Sequence, residues 1–400
     1  MSKQPKEKAS TPKELRERVV GGAPAPIPLQ RNANRMGLHH LPGNWSNPQQ
    51  NTSLARGGGA FWGDDTGGNA LGDDTGGNAT VPRLRRNLQG VGGSQILVGM
   101  GYHSDLPDFR DYGWDRLDKF LKSAKEAKSQ RLKDMAGRAE VTDLPEAWNL
   151  GDDPAHPLSP IENQGHTNTC TAQAAAGLIE YLYRWATGDY NDFSRMFIYF
   201  NSRRLLGWSG DIGCYIRTTF KAMRLFGAPP EPEWPFDISL LDTEPLPYHY
   251  AYASNFKTLK YARLDSYQDD PNSQTTGDLY DRVKRNIYAG FPVEFGFPVY
   301  SCIQSLSGYT IPIPSRKDRL LGGHAVLAVG YDDTIEAPMP TEGLKMEPNR
   351  GALIIRNSWG AEWANHGYAY IPRWYLDEGY ATDFWTAYDE DWLKLGEFGD

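Results

Sequence analysis

Cysteine is scarce: the 400 residues contain three, Cys170, Cys214 and Cys302. So small and odd a number excludes a disulfide framework and points to a reducing compartment or an unpaired reactive thiol. Long apolar runs are missing as well. The opening MSKQPKEKASTPKELRERVVGG lacks the roughly 7–15-residue apolar stretch of a secretory signal peptide, and no later run approaches the roughly 18 residues of a spanning helix. The expected location is therefore cytoplasmic by default, with non-classical export as the alternative. Positive charge is not in excess, since 42 Lys and Arg face 50 Asp and Glu for a net −8. Neither nucleic acid nor an anionic membrane is expected as a partner.

Aromatic residues are plentiful. With 12 Trp, 22 Tyr and 15 Phe in a chain that is 39% hydrophobic and 23% charged, there is ample material for a globular core. The length suits two or three average domains, or one large enzyme with an extension. Residues 1–95 carry Lys/Glu clusters, GGAPAPIPL at 21–29, NPQQNT and many glycines, a composition that buries too little apolar surface to offset its ordering entropy. A largely disordered extension is expected there. Within it GDDTGGNA occurs at 63–70 and again at 72–79. The pairs Asp64/Asp65 and Asp73/Asp74 could offer oxygen ligands to calcium, but two copies fall short of the roughly three a stacked repeat needs, so a solvated linker is the favoured reading.

Residues 96–140 change character, with ILVGMGYHSDLPDFRDYGW followed by the helix-permissive DRLDKFLKSAKEAKSQRLKDMAGRAE. This segment is expected to order itself as a pro-segment or strap. Leu144-Pro145 then opens the catalytic unit, taken as 141–390. Its first half reads helical. CTAQAAAGLIEYLYRWATG (170–188) is rich in helix formers, has apolar Leu178, Ile179, Leu182 and Trp185, and stops at Gly188; 193–206 and 215–227 continue the pattern. Its second half reads as strands at 291–300, 324–333, 351–360 and 367–376, which are β-branched and aromatic runs between Gly and Pro. Helices followed by strands predict an α+β protein with two lobes.

The densest chemical signal is NQGHTNTCTAQA at 163–174. Cys170 falls at the predicted start of a helix, where unpaired amides and the macrodipole favour thiolate, and Thr169 is the expected N-cap. His324 follows two glycines at the head of a strand, and Asn357 ends another in IIRNSWG. A lone cysteine, histidine or Asn-Ser turn of this kind is more often structural, and so is a tryptophan such as Trp359 or Trp363. Their joint occurrence in one order is what weighs against coincidence.

These residues resemble the papain family of cysteine peptidases, its bacterial branch in particular. The resemblance runs in order through Gln164-Gly165 and Cys170, His324-Ala325-Val326, and Asn357-Ser358-Trp359-Gly360, with Trp363 and Gly367-Tyr368 also fitting. Leu106 to Asp111 matches a Leu-Pro-Asp-x-Arg-Asp run that often precedes the enzyme in that branch. The resemblance implies a papain-like two-lobed fold, with the nucleophile helix in one lobe and the histidine and asparagine in a β-rich one. It implies peptide-bond hydrolysis by Cys170, with His324 as base and acid, Asn357 as its orienter, Trp359 shielding the His324–Asn357 bond from water, and Gln164 as an oxyanion donor beside the Cys170 amide. Peptide or protein is the expected substrate, and no metal or cofactor is required.

Two positions depart from the family pattern. A cysteine that commonly forms a disulfide is Thr167 here, which removes a staple, and the aromatic residue that usually follows the nucleophile is Thr171. The glycine-rich groove wall corresponds to Ser209-Gly210-Asp211-Ile212-Gly213, so Gly210, Asp211, Ile212, Gly323 and Trp359 are the expected substrate-binding residues. His166 reads as a loop residue rather than a second base. Cys214 and Cys302 are taken as structural thiols. Family members are commonly zymogens, so 96–140, with or without 1–95, is expected to occlude Cys170. The alternatives are an isopeptidase or acyl-transfer enzyme on the same scaffold, or a catalytically inactive binding module.

Overall fold

The computed structural model describes residues 86–89, 95–106, 108, 110–113, 117, 119, 130–257, 260–265, 279–306, 308–337 and 350–388, all within the unit Thr75–Asp400. The repeat at 63–79 and nearly all of the expected extension lie outside the described residues. In chain order, β1 (Arg86–Gln89) and β2 (Gln95–Val98) form an antiparallel pair, and β3 (Tyr102–His103) follows after two glycines. Helix α1 (Gln130–Ala139) and β4 (Ala147–Asn149) lead to the helical lobe, made of α2 (Cys170–Thr187), α3 (Arg195–Leu205), β5 (Cys214–Tyr215), α4 (Ile216–Phe226) and α5 (Pro247–Ala253). The sheet lobe contains β6 (Lys260–Arg263), α6 (Leu279–Tyr288), β7 (Val293–Tyr300), β8 (Leu320–Glu336), β9 (Arg350–Arg356), β10 (Tyr368–Pro372), α7 (Trp374–Asp377) and β11 (Thr382–Tyr388).

The expected division into a helical and a strand-rich half is present. The sheet runs β10-β9-β8-β7-β11-β6, with β4 added against the far end of β8, and each of its pairings is antiparallel. Strand β8 is longer than the sequence implied because bulges near Ala328/Gly330 and Asp332/Glu336 let it bend and serve β7, β9 and β4 in turn. The stretch 367–376, read as one strand, pairs only to Pro372, and Trp374–Asp377 then turns helical. Proline has no N–H to continue a ladder, which is a sufficient reason for the change.

Helix α2 is buried along almost its whole length, from Cys170 to Ala186, and lies against the sheet. Its many alanines permit this close approach. At Gly177 the helix meets the guanidinium of Arg356, so that an added Cβ would stand 2.0 Å from Nη1. Arg356 also donates to Ser159 Oγ at 2.9 Å and to the carbonyl of Pro160, which ties the segment leading into α2 to the end of β9. The next residue is Asn357, so this contact sets the separation of the two lobes at the site.

Gly177→Ala is expected to cost about 1–3 kcal/mol of unfolding free energy through overpacking against Arg356. A denaturant titration checks this; an unchanged midpoint would show that Arg356 can move aside freely.

Candidate active site

Cys170 opens α2 as predicted, and Gly188 closes the helix in the left-handed conformation at φ 85°. Thr169 occupies the N-cap position but makes no side-chain cap. Its hydroxyl is committed elsewhere, 2.7 Å from Thr167 Oγ1 and accepting from Gln173 Nε2 at 3.1 Å. Thr167 Oγ1 in turn donates to the Gln164 carbonyl at 2.7 Å. Hydrogen bonds thus brace the loop where a disulfide was expected to be missing, and all three cysteines are free.

The three separated motifs converge. The amide of Ala325, the residue after His324, hydrogen-bonds the Cys170 sulfur. His324 Nε2 lies 2.7 Å from Asn357 Oδ1, and the Trp359 ring stacks on the imidazole at 4.5 Å between centroids, with Trp363 edge-on behind it. His324 Nδ1 is buried with no hydrogen-bond partner. Gln164 reaches the same place from the other lobe: its Oε1 accepts from Ser358 Oγ at 2.7 Å and its backbone N–H donates to Ser358 O at 2.9 Å. That bond fixes the amide so that Nε2 points away from Ser358, donating to Thr167 O at 2.8 Å and Gly99 O at 3.1 Å.

The last contact comes from outside the catalytic unit. Gly99 to His103 crosses directly over Cys170 and His324, both of which are wholly buried. Gly99 N donates to Gly165 O at 3.3 Å, Met100 N to Asn168 Oδ1 at 2.9 Å, and the Gly101 carbonyl accepts from Cys214 N at 2.8 Å. Strand β3 then pairs with β5 in parallel. Gly99 and Gly101 are required here, because a Cβ on either would stand 1.9 Å from a carbonyl oxygen, of Thr167 or of Asn168. Beyond them the Tyr102 hydroxyl donates to the Asp383 carboxylate, and Asp105 N donates to Asp383 Oδ2 at 2.7 Å.

A buried charge network anchors this segment. Asp105 Oδ2 accepts from Trp385 Nε1 at 2.9 Å and from Arg217 N at 3.2 Å. Arg217 forms a fork on Asp111 at 2.8 and 2.6 Å, and Arg263 bridges Asp265 and Asp383 at 3.0 and 2.6 Å. The run Leu106 to Asp111 therefore contributes an anchoring carboxylate, Asp111.

Water exclusion sets the protonation of the site. Burial pushes the Cys170 thiol up to about 12, outweighing amide hydrogen bonds from Ala325, Gly101 and Thr171. Burial likewise pushes His324 down to about 4 against the opposing bond to Asn357. Beneath the segment the pair is thiol and neutral imidazole. Asp105 is raised to about 7 by burial and then by the neighbouring Asp383, with Arg217, Trp385 and Arg263 pulling the other way.

Of the other expected site residues, Gly210 has φ 77° and its amide is held by Asp242, while Asp211 turns inward to accept from Asn168 N at 2.8 Å and Tyr199 O–H at 3.0 Å. The Ile212 carbonyl meets His103 Nε2 at 2.6 Å, and Gly323 lies under Tyr102. Trp359 is behind His324 rather than along the covering segment, and His166 is exposed. Sequence reasoning missed Ser358 as a partner of Gln164, and it missed Tyr102 and Asp383 altogether. A tyrosine between a glycine and a histidine and an aspartate in a strand carry no signal of their own. Glu162, Glu180 and Asp192 bring carboxylate oxygens within 4.8 Å of one another, a spacing a metal could use. Arg195 supplies the cation instead, with Nη1 2.5 Å from Asp192, 3.2 Å from Glu162 and 3.8 Å from Glu180.

A helix-borne thiol facing a strand-borne histidine that is backed by an amide defines a cysteine hydrolase of two-lobed α+β architecture. The profile of the papain family cysteine proteases matches residues 144–378, and the chain belongs to that family. It is 32% identical over 305 residues to an uncharacterized peptidase C1-like protein of Acanthamoeba polyphaga mimivirus, spanning 73% of this chain and 87% of that protein. It is 26% identical to cysteine proteinase 2 of Zea mays, across 68% of this chain and 67% of that protein. The fold is similar to xylellain, a cysteine protease from Xylella fastidiosa, with a TM-score of 0.55 and 28% identity over 77% of this chain and 99% of that one. The protein is thus a papain-family hydrolase acting on peptide substrates. Among the described residues no helix is long and apolar enough to cross a membrane.

Asp105 has a raised pKa when docked, so covering is stabilised below the free-aspartate value of about 3.9 and loses that stability as pH rises toward about 7. Asp105→Asn, which keeps an acceptor for Trp385, is expected to slow hydrogen exchange of the Gly99–His103 amides at pH 8 and to matter less toward pH 4. Equal exchange at pH 8 would show that the Asp105 charge is already fully compensated.

Proposed function

We propose that the chain is an endopeptidase working through Cys170, His324 and Asn357, held inactive by its own Gly99–His103 segment. The observation that carries the reading is the His324–Asn357 bond of 2.7 Å beneath Trp359, beside a sulfur that accepts the Ala325 amide. With the segment displaced, water enters, the penalty on charge falls, and a proton passes from Cys170 Sγ to His324 Nδ1. The thiolate attacks the peptide carbonyl carbon, and its oxygen becomes an anion facing Gln164 Nε2 and the Cys170 amide, donors worth roughly 2–4 kcal/mol each. The C–N bond breaks as His324 gives its proton to the leaving amine. Water, deprotonated by His324, then cleaves the thioester and releases the acid.

The covering segment supports the inhibitory half of the reading on two counts. Gly99 O occupies the Gln164 donor that an oxyanion would use, and β3 occupies the β5 edge that an extended peptide would pair with. The nearby His324 has a depressed pKa, so its contribution to covering is present above about 6.5 and is lost as pH falls toward about 4.

Full-length Tyr102→Ala is expected to react with a small thiol-directed epoxide at Cys170 at least tenfold faster than the parent, equivalent to about 1.4 kcal/mol of lost covering. Peptide mapping by mass spectrometry locates the adduct, and Cys170→Ala should remove both labelling and hydrolysis of a denatured protein. Failure of Tyr102→Ala to label or to hydrolyse would favour an inactive scaffold.

A further inference from the structure

The Tyr102 side chain fills a hole in the sheet lobe. An ideal Cβ on Gly296 would lie 2.0 Å from the ring Cζ and 2.3 Å from both Cε atoms, so the ring lies directly over a residue that has no side chain. Gly323 on β8 borders the same space, where a Cβ would come within 2.5 Å of Tyr102 O and 3.1 Å of Cδ1. At the closed end the hydroxyl meets the Asp383 carboxylate, Thr382 Oγ1 at 2.9 Å and Ser104 Oγ at 3.2 Å. Three of these four partners or walls, Gly296, Gly323 and the Thr382–Asp383 pair, belong to the sheet lobe and remain when the segment leaves.

Asp383 is built into this end of the hole. It sits at φ 60°, its N–H donates to Asp265 Oδ2 at 2.8 Å, and its Oδ1 is taken by Arg263 Nη2 at 2.6 Å. Its Oδ2 faces the hole, where it accepts the Tyr102 hydroxyl and the Asp105 amide. We infer that this hole is the side-chain pocket by which the enzyme chooses its peptide substrates, and that it takes tyrosine, with Asp383 as the residue that sets the choice. The inference rests on the peptidase reading above and adds the substrate class to it.

Size and polarity both favour a phenol. The missing side chain at 296 gives room for a six-membered ring, and the depth from Gly296 to Asp383 matches a hydroxyl at the para position, since Tyr102 spans it. A phenylalanine would fit the walls but leave Asp383 Oδ2 without a donor and the Thr382 hydroxyl without an acceptor in a dry pocket, a mismatch that lowers selection by about tenfold to hundredfold. A lysine or arginine would bring a second cation to a carboxylate already matched by Arg263. Glu294, two residues from Gly296 on the same strand, is wholly buried with both oxygens unpartnered. Burial and the Asp105 charge hold its pKa well above the usual carboxylate range, so it is neutral and offers no compensating charge.

The test uses full-length protein with Tyr102→Ala, which vacates the hole. In a Cys170→Ala background, binding is measured by calorimetry with p-cresol, toluene and n-butylamine. p-Cresol is expected to bind at least tenfold more tightly than either of the others; toluene matching it, or n-butylamine exceeding it, overturns the proposal without touching the peptidase reading. In the Cys170-containing variant, a denatured protein mixture is digested and the cut sites are read by mass spectrometry. Tyrosine is expected to be enriched over phenylalanine at one position near the cut, and enrichment of Lys or Arg there overturns the proposal. Asp383→Asn keeps an acceptor oxygen and should retain the tyrosine preference, whereas Thr382→Val should reduce it and Asp383→Ala should bring the tyrosine to phenylalanine ratio near one. Retention of that ratio in a folded Asp383→Ala protein counts against Asp383. Absence of any cleavage while p-cresol still binds defeats the peptidase reading itself, and the substrate role of the pocket with it.

Discussion

The hydrogen bond between His324 and Asn357, roofed by Trp359, is the constraint to which the rest of the site is fitted. It needs two neighbouring strands in fixed register, and β8 and β9 supply them. Leu327 pairs with Arg356 in that ladder, so His324, three residues earlier, and Asn357, one residue later, are brought to the same end of the sheet. The same turn carries Ser358, whose hydroxyl reaches across to Gln164. One short segment, Arg356 to Trp359, thereby clamps α2 through Gly177, holds the histidine through Asn357, and fixes the Gln164 amide through Ser358.

Covering the site makes two proton-linked contributions of opposite sign. Excluding water from His324 favours the covered form above about 6.5 and penalises it toward about 4. Excluding water from Asp105 does the reverse, favouring the covered form in acid and weakening it toward about 7. The two windows overlap, so the effects offset one another across mildly acidic pH. A covering segment that used only the histidine would open sharply on acidification. Here Asp105 holds the segment against that opening, and the ion pairs of Asp111 with Arg217 at 2.6 Å and with Arg263 at 3.6 Å add attachment that does not depend on either group.

Much of the helical and strand organisation was legible because it depends on local signals: an alanine-rich run ending in glycine for α2, and β-branched runs for β7 to β9. The residues that the fold brings together, Cys170, His324, Asn357 and Gln164, were legible through their motifs. What the sequence did not disclose depends on contacts between distant segments. Thr169 looks like an N-cap in isolation, but its hydroxyl is engaged by Thr167 and Gln173. Trp359 was expected both beside the substrate and as a shield over the His324–Asn357 bond, and its ring stacks on the imidazole. Cys170 at a helix N-terminus was expected to ionise readily, yet burial outweighs the amide hydrogen bonds it receives in the covered state. Asp383 and Tyr102 are separated by 281 residues, and no local pattern announces that one receives the other.

Steric absence explains how one segment can both cover Cys170 and fill the hole over Gly296. Gly99 and Gly101 let the covering backbone pass within contact of the Thr167 and Asn168 carbonyls, while Gly296 and Gly323 let the Tyr102 side chain sink into the sheet lobe. The first pair of glycines belongs to the cover and the second to the enzyme. A side chain at 296 would eject the tyrosine, and under the pocket assignment proposed above it would close the hole to substrate as well, so covering and selection would depend on the same missing atoms. Loss of fit for the cover would therefore entail loss of fit for the substrate, which ties the sequence of residues 99–103 to the shape of the pocket they fill.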